Sequence, residues 1–66
     1  MNITNNSSLD YITAFVNESK AHVNLINAEW HYNNGLVQDH VYQLAKIKHQ
    51  QAKRDFDQAL INELLA

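Results

Sequence analysis

The chain has 66 residues, 45% hydrophobic content, a formal net charge of −2, no Cys, no Pro and one Gly. These values exclude a disulfide scaffold, a Cys-based zinc fold and a strongly basic nucleic-acid binder, and they favour an ordered helical chain over disorder. So short a chain buries little core of its own, which leaves self-association or docking on a partner as the route to more buried surface.

Residues 1–7 are polar and without periodicity, which predicts a flexible tail. Ser7 or Ser8 offers a cap, and Asp10, three residues after Ser7, completes a capping-box-like pattern, so a first helix is expected over residues 8–33. The N-terminal residues have neither the basic nor the apolar region of a signal peptide, and no apolar run approaches the roughly 20 residues that span a bilayer. The expectation is a cytoplasmic protein without a membrane partner. The N-x-[ST] patterns beginning at Asn2, Asn5, Asn6 and Asn17 arise by chance in a chain with nine Asn.

Within the first helix, Leu9, Ile12, Val16, Ser19, Val23, Ile26 and Trp30 recur in alternating steps of three and four, the spacing of a helix–helix seam. A second stripe, Tyr11, Ala14, Ala21, Leu25, Ala28 and Tyr32, is interrupted only by Glu18 and emerges on nearly the opposite side. One partner helix cannot cover both. The larger stripe, with Trp30 in the hairpin core, is assigned to the second helix. The Tyr11 to Tyr32 stripe is assigned outward, as the partner-binding face.

Asn33-Asn34-Gly35 supplies the left-handed residue that ends a helix, with Leu36 placed to fold back on the last turn. The turn is expected at residues 33–35 and a second helix over 36–65, with Asp39 near its positive end. Its apolar positions, Val37, Val41, Leu44, Ala45, Ala52, Phe56, Ala59, Leu60 and Leu64, drift around the helix, and Ile47, Ile61 and Leu65 form a sparse further stripe. The fold expected is all-α: a single domain, residues 1–66, forming a coiled-coil-like antiparallel hairpin about 40 Å long at ~1.5 Å per residue. Two such hairpins are expected to dimerise into a four-helix bundle.

His22, His31, His40 and His49 are nine residues apart, which invites a zinc site or a pH switch. At about 100° per residue, successive histidines on one helix point to opposite sides. With the hairpin seam on the Leu9 to Trp30 stripe, the level pairs His31/His40 and His22/His49 fall on opposite flanks. Surface or boundary histidines are therefore expected, with no metal and no cofactor; a metal or pH-sensing site between subunits is the alternative.

Lys46, Lys48, Lys53 and Arg54 form a stretch of four cations without an acid, suited to an acidic surface or to nucleic acid. Asp39, Asp55, Asp57 and Glu63 on the same helix offset it, and Lys53 with Asp57 has the spacing of an ordinary i,i+4 pair. Catalysis finds no support: there is no nucleophile–base arrangement, no Gly-rich phosphate loop and no pair of carboxylates placed to share a cleft.

Gly35-Leu36 followed by Val41, Tyr42 and Leu44 resembles the turn and second-helix start of the small helical-hairpin aspartyl-phosphate phosphatases of the sporulation phosphorelay, over about ten residues. Where that family carries Ser-Gln-Glu-Leu-Asp, this chain has Ala45, Lys46, Ile47, Lys48 and His49. The resemblance implies a hairpin shape and no phosphatase activity. Plasmid copy-number regulators of the Rop type, dimeric helical hairpins that bind RNA, share the architecture without a sequence match.

The function expected is that of a non-enzymatic protein-binding module, an inhibitor, adaptor or regulator of a larger protein, which also binds itself. Tyr11, Leu25, Trp30, Tyr32 and Tyr42 are candidate anchors. The alternatives are a nucleic-acid-associated dimeric regulator using Lys46, Lys48, Lys53 and Arg54, or a structural component of a larger assembly such as a virion.

Overall fold

The computed structural model describes residues 3–65, with side chains from Asp10 onward. Helix α1 (Ile3–Asn33) and helix α2 (Asp39–Leu65) pack against each other as a hairpin 50 Å long. No described helix is long and apolar enough to cross a membrane. Helix α1 starts ahead of the expected cap at Ser7 or Ser8. Neither Gly nor Pro stands between Ile3 and Leu9 to break it, and the polar residues there lower helix propensity without ending the helix. The side chains of Ser7, Ser8 and Leu9 lie outside the described residues.

The turn is a Schellman motif. The Leu36 N–H donates to the His31 carbonyl at 2.8 Å and the Gly35 N–H to the Tyr32 carbonyl at 3.0 Å, with Gly35 at φ 72°. Asn34 closes the remaining end by donating from its backbone N–H and its Nδ2 to the Trp30 carbonyl, at 3.1 and 2.7 Å. The Leu36 side chain stays exposed, so the backbone alone folds back. Helix α2 begins at Asp39 rather than at residue 36, because the two hydrogen bonds of the motif hold Gly35 and Leu36 outside it. A Cβ at Gly35 would meet no atom within 4 Å, so Gly35→Ala tests conformation alone. The left-handed backbone costs an L-residue roughly 1–2 kcal/mol, and the variant is expected to melt at least ~4 °C below the parent in a circular dichroism scan.

The hairpin seam is the stripe of smaller residues. On α1 the half-buried positions include Tyr11, Ala14, Glu18, Ala21, Leu25 and Ala28, and on α2 Tyr42, Ala45, His49, Ala52, Phe56 and Ala59. Both sets step by three and four, and in both an Ala recurs every seventh residue. The register that stacks Tyr32 on Tyr42 brings Ala28 level with Ala45, Ala21 with Ala52 and Ala14 with Ala59. A methyl opposite a methyl lets the helix axes approach to the short end of the usual 8–10 Å range, and the aromatic rings then fill the ends.

This corrects the expected assignment of the two stripes. From Ile12 to Trp30 this stripe, expected to pack on the second helix, is turned outward apart from the half-buried Ser19, with Val23 54%, Ile26 52% and Trp30 57% exposed. The Tyr11 to Tyr32 stripe, expected outward, faces α2. The reason is the partner. Helix α2 offers one continuous three-four stripe, alternating small with large, and only the Tyr11 to Tyr32 stripe has the same alternation to match it.

Candidate functional site

The seam divides into three zones. Near the turn, Tyr32 and Tyr42 stack at 5.0 Å and 20°, and the Lys46 ammonium lies 5.0 Å from the centre of the Tyr42 ring. Asp39, by accepting a hydrogen bond and by its negative charge, holds the Tyr32 phenol above its ordinary pKa of 10.0. At the far end Phe56 meets Tyr11 at 5.5 Å and Phe15 at 5.8 Å, both tilted.

The central zone is polar. His49 Nε2 lies 2.9 Å from Glu18 Oε2, close enough for the imidazole N–H to donate to the carboxylate, and both side chains are mostly covered, at 17% and 23% exposure. His22 joins them from one helical turn beyond Glu18, its ring edge-on to His49 with centroids 5.1 Å apart. One ligating atom from each of Glu18, His22 and His49 lies within 4.8 Å of the others. The expectation that His22 and His49 fall on opposite flanks is thereby corrected. Placing the seam on the Tyr11 to Tyr32 stripe makes Glu18 and His49 seam residues and sets His22 beside them. His31 instead donates from Nδ1 to the Asn27 carbonyl at 2.6 Å, and no described contact joins it to His40.

Of the residues expected to bind a partner, Tyr11, Ala14, Ala21, Leu25 and Ala28 are half-buried in the seam, and Tyr32, though more open, stacks within it. The outward surface consists of Ile12, Val16, Val23, Ile26 and Trp30 on α1, with Val41, Leu44, Ile47, Ile61, Leu64 and Leu65 exposed on α2. No described side chain is fully buried, and the hairpin therefore lacks a core of its own. A groove of about 390 Å³ follows one flank, its lining including Ala21, Ala28, Leu44, Ala45, Lys20 and Lys48.

The four cations expected to act together do not all share one face. Lys46 lies over Tyr42, while Lys48, two residues on and about 200° around the helix, lines the groove; Lys53 and Arg54 are exposed. Among the described residues no ion pair joins Lys53 to Asp57. The sequence reading missed Glu18 altogether, as an interruption in an apolar stripe. Its signal was present: a carboxylate and an imidazole at i and i+4, level with a histidine on the second helix. No family model, no curated protein and no solved structure matches the chain.

Proposed function

We propose that this chain is a non-enzymatic protein-binding hairpin, and that its outward face of Ile12, Val16, Val23, Ile26 and Trp30 docks on a second copy to form a four-helix bundle. The observation that carries this reading is the pairing of that exposed face with the lack of any fully buried side chain among the described residues. A soluble monomer rarely leaves so continuous an apolar stripe in water, and a second hairpin is the simplest body of matching length and curvature. Charge does not oppose the same occupant, since on α2 Lys46, Lys48, Lys53 and Arg54 are balanced by Asp39, Asp55, Asp57 and Glu63.

Lys48 stands apart from the other three cations, and Asp39, Asp55, Asp57 and Glu63 bring the net charge of the helix to zero, which disfavours the nucleic-acid reading. Sedimentation equilibrium of the purified chain tests the proposal. Twice the chain mass at micromolar concentration, dissociating on dilution with loss of helix signal, is the expected result. A single-chain mass with undiminished helix content at every concentration overturns self-docking.

A further inference from the structure

We infer that Glu18, His22 and His49 form a binding site for a divalent transition-metal ion of the zinc type, clamping α1 to α2 at mid-hairpin. The donor set is the one such an ion prefers: two imidazole nitrogens and one carboxylate oxygen, with further coordination left to water or an incoming group. The three come from both helices, Glu18 and His22 one turn apart on α1 and His49 across the seam, so one ion bridges the elements. Distances fit with side-chain adjustment alone. Bonds of about 2.1 Å in tetrahedral geometry set neighbouring ligand atoms about 3.4 Å apart. The Glu18–His49 contact at 2.9 Å has to open slightly, and the widest separation, 4.8 Å at most, has to close by a comparable small step.

Glu18 and His49 are mostly covered within a seam otherwise built of alanine, Leu25 and aromatic rings. Burying a carboxylate and an imidazole there is costly when a single hydrogen bond is their return, and a bound cation satisfies both while displacing the proton between them. His22, more exposed, completes the set from beside His49, its ring edge-on to that of His49. The site belongs to one hairpin and does not depend on self-docking.

Zinc chloride titrated into the full chain tests this, read by circular dichroism melting and by the histidine ring signals in NMR. One zinc per chain is expected, with a rise in Tm of roughly 10–20 °C at a hundredfold excess over Kd, reversed by chelator. The rings of His22 and His49 shift and those of His31 and His40 do not. His22→Gln weakens zinc binding at least ~10-fold, whereas the double variant His31→Gln, His40→Gln binds as the parent does. Melting indifferent to zinc and chelator, or zinc that shifts His31 and His40 instead, overturns the inference. The NMR readout on the parent chain decides the matter even if a variant fails to fold.

Discussion

Replacing Val23 and Ile26 together with Gln is expected to destabilise the protein, although both side chains are more than half exposed in the single hairpin. Gln has a higher helix propensity than the β-branched Val and Ile, so in a hairpin that stands alone in water the double substitution would be neutral or stabilising. The opposite sign follows when a second copy covers the face. Each aliphatic side chain then contributes about 1.5 kcal/mol of burial, and losing two of them weakens association more than ~100-fold. Sedimentation of the variant beside the parent gives the association constant, and melting at matched chain concentrations gives the sign.

Phe56→Ala is expected to cost about 2 kcal/mol, lowering Tm by roughly 8–16 °C. Phe56 is half-buried and is the one ring that touches both Tyr11 and Phe15, so its loss unties the far end of the seam from α1 at two points. Fully buried phenylalanines cost about 3–5 kcal/mol on truncation, and partial exposure scales this value down. Phe15→Ala, at an exposed position with a single ring contact, is expected to cost less than half as much. Thermal melting of the two variants ranks them; equal effects would contradict the placement of Phe56 in the seam and Phe15 at its edge.

The turn was legible in the sequence because its cause is local. Gly35 alone lacks the Cβ that resists a positive φ, and the neighbouring Asn34 satisfies the Trp30 carbonyl with both its backbone and its side-chain N–H. Two helices and their order followed from the same signal. Which face of α1 closes the hairpin was not legible from α1, since its two stripes have the same period and the one with larger side chains, Ile12, Val23, Ile26 and Trp30, is the one left outside. Apolar size ranks a stripe by what it gains when covered, while pairing within the hairpin is decided by match to the other helix. The Ala45, Ala52 and Ala59 repeat, with Tyr42 before it and His49 and Phe56 within it, is matched only by Ala14, Ala21 and Ala28 with Tyr11, Leu25 and Tyr32.

The central polar cluster was hidden by the same choice. Whether two histidines on antiparallel helices meet depends on where the seam lies, and a rotation of about half a turn takes His22 and His49 from opposite flanks to contact. Glu18 changes meaning with it. As a break in an outward stripe it is an ordinary solvated acid, whereas in the seam it is a mostly covered carboxylate that needs a partner, and His49 at 2.9 Å supplies one.

The division of α1 into an inward stripe of small residues and an outward stripe of large ones is tested most directly by the emission of Trp30, the single Trp of the chain, which is 57% exposed on the outward face. Its emission maximum, followed while the chain is diluted through the association constant, is expected to move from a buried, blue-shifted position to a solvent-exposed one in step with the fall in sedimented mass. Emission that stays blue-shifted and protected from quenchers in a chain sedimenting as a monomer would place Trp30 inside the hairpin and contradict the account.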